Sequence, residues 1–207
     1  MNPELILLVA DKNMEAGLDG LLSRRRKSLG LADFSYEVHV HPRHDPGCYH
    51  DGAVLLHGLI GGANRYGLLV FDFAWDGNPH SNAAETEAAV REKFRQLGIE
   101  ERAEVVVIDP ELEIWVWSAS PHVEDVLGWK GSTPPLRSWL RNQGLWGDDR
   151  PKPQDPKRAM EDALYEKRIP RSSSLYRQLA EKVGLTTCRD ASLQRIVKPL
   201  RGWFPAK

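Results

Sequence analysis

The sequence has few cysteines and no long apolar segment, and these absences exclude several classes of protein. Its 207 residues include only two cysteines, Cys48 and Cys188, too few and too far apart for a disulfide framework. No apolar run reaches the roughly 18 residues of a membrane-spanning helix. The N-terminal MNPELILLVADKN lacks the basic segment and cleavage site of a secretory signal. We therefore expect a cytoplasmic protein with no membrane partner.

Charge is distributed unevenly along the chain, although the net charge is only −1. Residues 1–150 carry 15 lysines and arginines against 23 aspartates and glutamates, whereas residues 151–207 carry 13 against 6. A basic tail of this kind indicates an acidic partner. Nucleic acid, another protein and the acidic first part of the same chain all fit the pattern.

Apolar residues make up 41% of the chain, which is enough for a sizeable core. Up to residue 110, short apolar runs alternate with amphipathic segments. The runs predict strands over 4–10, over 34–40, from Tyr66 to Asp72 and over 103–109, and helices over 13–30, 53–62 and 81–98. This alternation predicts an α/β fold with right-handed crossovers and a mostly parallel sheet flanked by helices.

After residue 110 the pattern becomes helical. The segment PELEIWVW (110–117) fits either a helix that starts at its proline or a short strand. The segment GDDRPKPQDPK (147–157) predicts a linker or an exposed loop. Further helices are predicted near 121–128 and 134–143 and over 157–168, 172–183 and 189–201. We expect one α/β domain over 1–115 and a helical region over 116–207 that packs on it and is basic from about residue 151.

Acidic residues follow three of the predicted strands. They are Asp11 after the first strand, Asp72 and Asp76 after the third, and Asp109, Glu111 and Glu113 after the fourth. In an open parallel sheet, ligands bind beyond the carboxyl ends of the strands. Mg²⁺ suits such a site because it prefers oxygen ligands and takes one or two carboxylates. Helix capping and turn chemistry, as in WDGN, explain the same acids without a metal.

A histidine-rich segment, HVHPRHDPGCYH (39–50), is a second candidate site. Structural zinc is one interpretation, since zinc accepts imidazole and thiolate ligands. A loop whose His41 or His44 contacts phosphate is another, and an ordinary polar loop is the third. The HPRHDPG part predicts an exposed turn.

Cations surround a predicted helix start in KRIPRSSSLYR (167–177). A helix N-terminus flanked by Lys167, Arg168 and Arg171 suits a phosphate group, and a simple serine cap explains the same residues. The seven tryptophans are predicted to be core or interface anchors, with base stacking as the alternative.

Taken together, three motifs resemble the TOPRIM-like family of bacterial defence islands. They are LLVADKN after strand one, LLVFDF at strand three and PELEIWVW after strand four. The tail YEKRIPRSSSLYRQLAEKVGL is similar to the helical ending of that family. The similarity covers nearly the whole chain and is strongest to the branch found in methylation-associated anti-phage defence systems.

The resemblance implies a TOPRIM-like fold and an acidic site that binds Mg²⁺, or Mn²⁺, to act on nucleic-acid backbones. It implies Asp11, Asp72 and Glu113 as catalytic metal ligands, and Asp76 would replace a missing ligand. The missing ligand is the second acid of the family's Asp-x-Asp pair, where this chain has Ala74. We expect phosphate contacts from Lys12, Lys167, Arg168 and Arg171.

Two functions of different classes follow. The first is a Mg²⁺-dependent nuclease that acts with other proteins of an anti-phage defence system. The second, favoured by Ala74, is a non-enzymatic subunit that assembles the defence complex or tethers nucleic acid. A nucleotide-binding regulator is a weaker alternative, because no glycine-rich phosphate motif follows the first strand.

Overall fold

A computed structural model describes residues 3–62, 64–183 and 190–206. Four strands form one sheet: β1 (Leu5–Val9), β2 (Tyr36–Val40), β3 (Tyr66–Asp72) and β4 (Ala103–Ile108). Their order is β2-β1-β3-β4, and all three pairings are parallel. The central strands β1 and β3 are almost entirely buried, which explains why they are continuous apolar runs and do not alternate with polar residues.

Helices flank the sheet and continue beyond it. They are α1 (Lys12–Arg24), α2 (His44–His50), α3 (Gly52–Ile60), α4 (Ala83–Gln96), α5 (Pro121–Val126), α6 (Leu136–Asn142), α7 (Pro156–Glu166), α8 (Ser173–Lys182) and α9 (Ala191–Trp203), with short 3-10 helices at Lys27–Leu29 and Leu112–Trp115. Capping side chains fix the start of the two long helices beside the sheet. The Asp11 carboxylate caps α1, and the Asn82 side chain caps α4 by accepting from the Glu85 N–H.

The C-terminal helices pack directly on the α/β layer. Helix α8 lies along α1, and a Cβ atom at Gly20 would come within 2.9 Å of the Arg177 carbonyl oxygen. Glycine is therefore needed there for the two helices to approach. Helix α9 packs against β4, and backbone hydrogen bonds join the last residues of the chain to Gly30 and Ala32.

The outer edge of β4 is closed by side chains. Glu87 of α4 is buried, and its Oε1 accepts from the Val107 N–H at 2.9 Å. Arg195 of α9 donates to the Val107 carbonyl oxygen at 2.9 Å and to Glu87 Oε1 at 3.1 Å. An exposed strand edge is a site for unwanted pairing, so α9 protects the sheet as well as enlarging the core.

The predicted α/β fold class with a parallel sheet and helical C-terminal part is confirmed, and three local predictions need correction. The segment HPRHDPG is an exposed turn only at Pro42 and Arg43, because α2 begins at His44. The segment 110–117 contains a 3-10 helix at Leu112–Trp115 and no strand. The predicted linker is anchored in part, since Lys152 donates to the Ile114 carbonyl oxygen at 2.8 Å. The domain boundary at residue 115 stays a prediction.

In the part of the chain that the structure describes, no helix combines the length and apolarity needed to span a membrane. Cys188 lies outside the described residues, whereas Cys48 is buried and has a free thiol.

Candidate metal and nucleic-acid site

Two aspartates meet at the carboxyl end of β3. Asp72 is the last residue of that strand, and Asp45 lies in the first turn of α2. The Asp72 backbone N–H donates to Asp45 Oδ1 at 2.8 Å, so the short helix carries its carboxylate to the strand end. Burial raises the pKa of Asp45, and the negative charge of Asp11 adds to this effect.

Asp72 is the most perturbed acid of the site. Its Oδ1 atom is buried and has no hydrogen-bond partner. Burial raises the pKa of Asp72 well above its ordinary value, and the charges of Asp45, Glu113, Asp11 and Glu111 raise it further. A pKa raised by burial and by neighbouring carboxylates, with no cation to balance their charge, is a common property of functional sites.

Asp11 completes what we call the acidic cluster, formed by Asp11, Asp45 and Asp72. Asp11 Oδ1 accepts from the backbone N–H groups of Asn13 and Met14 at 2.9 and 2.8 Å. Its position is therefore fixed by its role as the cap of α1. Capping and proximity to the other acids are compatible, because α1 begins at the carboxyl end of the central strand β1.

Two of the three predicted acids that follow β4 are paired with cations instead. Glu113 is only 2% exposed, and its Oε1 accepts from Arg171 Nη2 at 2.6 Å and from the Tyr176 hydroxyl at 2.5 Å. Glu111 accepts from Lys157 Nζ at 2.8 Å. We call Glu111 and Glu113 the paired acids. Burial, followed by the Glu113 charge, raises the pKa of Tyr176, so its hydroxyl stays protonated and donates.

The remaining predicted acids, Asp76 and Asp109, are exposed. Asp76 is exposed in a turn in which the Asn78 N–H donates to the Trp75 carbonyl oxygen. Ala74, at the place of the missing acid, is exposed, and its N–H donates to the Pro110 carbonyl oxygen at 3.0 Å. The two residues that follow Asp72 therefore stay hydrogen-bonded to the segment that follows β4.

The predicted phosphate-binding cations are divided between different parts of the molecule. Lys12 is exposed and pairs with Glu15 at 2.7 Å, next to the Asp11 cap. Lys167 donates to Ser132 Oγ and lies 4.1 Å from the centre of the Trp129 ring. Arg168, with a φ of 54°, lines a surface cleft beside Ile169 and Pro170. Arg171 is the one that reaches a predicted acid, through its bond to Glu113.

Two histidines of the histidine-rich segment make hydrogen bonds or close polar contacts at the two ends of α2, the helix that carries Asp45. His41 is buried; its Nδ1 accepts from the Arg43 N–H at 3.1 Å and its Nε2 lies 3.1 Å from Asp51 Oδ1. His44 has a φ of 53°, and its Nδ1 donates to the Ala10 carbonyl oxygen at 3.0 Å, which ties α2 to the end of β1. Strained backbone at a non-glycine residue is often found at functional sites.

The acidic cluster offers one or two carboxylates to a cation, and no larger cage. Across the described residues, no group of three or more His, Cys, Asp or Glu side chains is arranged to hold a metal ion. Zinc in the histidine-rich segment is therefore unsupported. Mg²⁺ needs less, since it takes one or two carboxylates and completes its shell with waters and substrate phosphates. The unpartnered oxygen of Asp72 beside Asp45 fits that requirement.

Asp45, which comes five residues after β2, was not among the acids predicted from the sequence. The sequence contains part of the information needed to find it, since Asp45 is an acid that follows a strand. Because β2 lies next to β1 and parallel to it, an acid after β2 lies at the same edge of the sheet as Asp11. The order of the strands was needed to recognise it.

Among solved structures, the chain is similar to the C-terminal region of the Burkholderia pseudomallei OLD protein. The TM-score is 0.56, the sequence identity is 18%, and the similarity covers 98% of each chain. No model of a known protein family matches the sequence, and no curated protein matches it. At this identity the similarity concerns the fold alone. The chain thus has an α/β fold of the TOPRIM-like kind found in that region, with a four-stranded parallel sheet, flanking helices and C-terminal helices.

Proposed function

We propose that this protein is a Mg²⁺-dependent nuclease-like enzyme that acts on nucleic-acid phosphodiesters at the acidic cluster. The observation that carries the proposal is the buried, unpartnered Oδ1 of Asp72 beside Asp45 and Asp11. A carboxylate left in this state is costly unless a cation or a proton compensates it. A divalent cation compensates it and at the same time attracts a phosphate group.

The residues of the site would have different roles. Asp45 and Asp72 would hold the ion, and Asp11 would add negative charge while it fixes the start of α1. A bound Mg²⁺ would supply charge stabilisation to the phosphoryl oxygens and a more acidic water. Lys12, exposed at the start of α1 and adjacent to Asp11 in sequence, would contact a neighbouring phosphate.

Glu113 has a different role in this proposal from the one that the resemblance implies. Because Arg171 and Tyr176 both bind its Oε1, it serves best as an anchor that fixes Arg171 at the edge of the site. The guanidinium side chain is 32% exposed. It therefore keeps surface that a phosphate oxygen can reach, since Arg has five donors.

The test is metal-dependent cleavage by the purified full chain with Mg²⁺ or Mn²⁺ and with DNA and RNA substrates. Asp72→Asn keeps the shape of the side chain and removes its charge, and we expect a loss of about 100-fold or more, since loss of even an outer-shell partner costs 10–100-fold. Asp33→Asn is the matched control, because that carboxylate is 97% exposed. Cleavage by Asp72→Asn at the rate of the unmodified protein would refute the proposal.

A second candidate function has its own support. Ala74 removes one acid that the family uses, and the cationic partners of the paired acids remove two more from metal binding. These features favour a non-catalytic subunit that assembles other proteins of an anti-phage defence system or tethers nucleic acid through its basic tail. Calorimetry separates the two functions: binding of Mg²⁺ or Mn²⁺ that Asp72→Asn abolishes favours the enzyme. No binding at millimolar metal, with stable co-purification of the products of neighbouring genes, favours the subunit.

A further inference from the structure

Four aromatic rings form a patch next to the acidic cluster. The aromatic patch consists of Tyr49 and His50 at the end of α2, Trp75 after β3, and His80 before α4. Trp75 lies 5.7 Å from Tyr49 and 6.1 Å from His50, measured between ring centroids. Tyr49 and His80 lie 5.6 Å apart, and the Tyr49 hydroxyl is 2.9 Å from His80 Nε2. Three separate segments of the chain thus contribute to one group of rings.

The aromatic patch and the acidic cluster share two backbone segments. Asp45 and Tyr49 are four residues apart on α2, so they lie on the same side of the helix about one turn, or roughly 5–6 Å, from each other. Trp75 comes three residues after Asp72 and beyond the end of β3. A strand of nucleic acid whose phosphate meets the acidic cluster would bring its neighbouring bases to these rings.

The patch is partly open to ligands. His50 is exposed, and the other three rings are partly exposed. The indole N–H of Trp75 is buried without an acceptor. By contrast, four other tryptophans donate to protein oxygens: Trp115, Trp117, Trp129 and Trp146. A tryptophan that serves only the core normally satisfies its N–H.

A cation supports the patch from the side of α4. Lys93 Nζ donates to the Tyr49 carbonyl oxygen at 2.5 Å and lies 4.4 Å from the centre of the Tyr49 ring. The Tyr49 ring is therefore held in place, which lowers the entropy that a ligand must remove on binding.

We propose that the aromatic patch stacks unpaired bases of a single-stranded nucleic acid. The inference rests on the proposed function, because it takes the acidic cluster as the place where the backbone passes. Bases in a duplex are already stacked on one another, so only an unpaired strand can present their faces to the rings. Stacking contributes about 1–3 kcal/mol per base, which makes the single strand the preferred substrate class.

Binding measurements separate this proposal from catalysis. All proteins tested carry Asp72→Asn, which lowers charge repulsion, and the buffer contains a chelator, which prevents metal-dependent cleavage. Fluorescence anisotropy reports binding of short labelled oligo(dT), oligo(U) and a duplex of equal length. We expect tighter binding of a single strand than of the duplex. Adding Trp75→Leu should weaken single-strand binding by about tenfold or more, the equivalent of one lost stack, and leave duplex binding unchanged. The oligo(dT) and oligo(U) arms show whether DNA, RNA or both supply the base.

The control is Trp203→Leu. Trp203 also stacks on a tyrosine, Tyr66, with 4.7 Å between centroids, but Tyr66 is the first residue of β3 and lies at the opposite end of the strand. His50→Ala, at an exposed position, gives a second test that does not threaten the fold. Equal binding by the Trp75→Leu and Trp203→Leu proteins, a preference for the duplex, or no effect of His50→Ala and Trp75→Leu together would overturn the proposal, even if the acidic cluster proves catalytic.

Discussion

The acidic cluster and the paired acids lie at the same end of one sheet, but they differ in their hydrogen-bond partners. Glu113 and Glu111 each accept from a cationic side chain contributed by the C-terminal helical region. Asp45 and Asp11 accept mainly from backbone N–H groups, and Asp72 has a buried oxygen with no partner at all. Burial raises the pKa of both Asp72 and Asp45.

This difference separates acids that hold the fold together from acids that are available to a ligand. The basic tail predicted from the charge distribution meets the acidic first part of the chain at Glu111 and Glu113, so part of its charge is used internally. Arg177 and Arg195 of the same tail pair with Asp19 and Glu87 of the first part of the chain. An uncompensated buried carboxylate costs stability and persists where function requires it.

The largest expected effect comes from breaking the pair between Arg171 and Glu113. Arg171→Met removes the cation and leaves Glu113 buried with only the Tyr176 hydroxyl, so the free energy of unfolding should fall by about 3–5 kcal/mol. Urea denaturation followed by circular dichroism measures it.

The comparison for that variant is Arg158→Ala. The pair between Arg158 and Asp162 joins side chains that are 69% and 45% exposed, and such pairs contribute about 0–1 kcal/mol. Combining Arg171→Met with Glu113→Gln should recover part of the loss, because the buried charge is then gone. A loss for Arg171→Met no greater than that for Arg158→Ala would show that the paired acids are not structural anchors.

Removing the charge of Asp72 in the acidic cluster should raise the free energy of unfolding, whereas Arg171→Met should lower it. The folded-state pKa of Asp72 lies above its unfolded value, so its contribution to stability is fully present below the unfolded pKa and is lost as pH rises through the folded pKa. Asp72→Asn should therefore stabilise the metal-free protein at neutral pH, by about 1–3 kcal/mol, the cost of a buried unsatisfied group. The gain should shrink towards pH 4.

Urea denaturation in chelator at acid and neutral pH tests this, with Asp33→Asn as the variant that should show no such pH dependence. Added Mg²⁺ should raise the midpoint of the unmodified protein and leave that of Asp72→Asn unchanged. Destabilisation by Asp72→Asn at neutral pH would mean that a partner compensates the carboxylate after all.

Much of the fold follows from local sequence signals. The apolar runs of β1, β3 and β4 predict buried parallel strands, and Asn82 before an alanine-rich amphipathic segment predicts the start of α4. These elements depend on periodicity and capping, which neighbouring residues alone determine. The convergence of Asp11 and Asp72 depends on the order of the strands in the sheet, which local signals do not determine.

The site itself depends on contacts between distant residues, which sequence patterns do not encode. Helix α2 contains Pro46 and Gly47, so its sequence favours a turn. The helix forms where His44 bonds to the end of β1 and Arg43 pairs with Asp51 at 2.6 Å. Glu113 and Arg171 are 58 residues apart, and only the packing of the C-terminal helices shows that one neutralises the other.

The smallest expected effect concerns the other paired acid, Glu111. Its partner Lys157 is 40% exposed and Glu111 is 16% exposed, so water screens the pair and compensates the carboxylate when the lysine is removed. Lys157→Met should therefore lower the free energy of unfolding by about 1 kcal/mol or less, and the loss should shrink further in high salt. The same urea titrations at low and high salt measure it. A loss as large as that of Arg171→Met would mean that both paired acids are equally shielded from water. The contrast between the acidic cluster and the paired acids would then depend on pairing alone, with no contribution from the greater burial of Glu113.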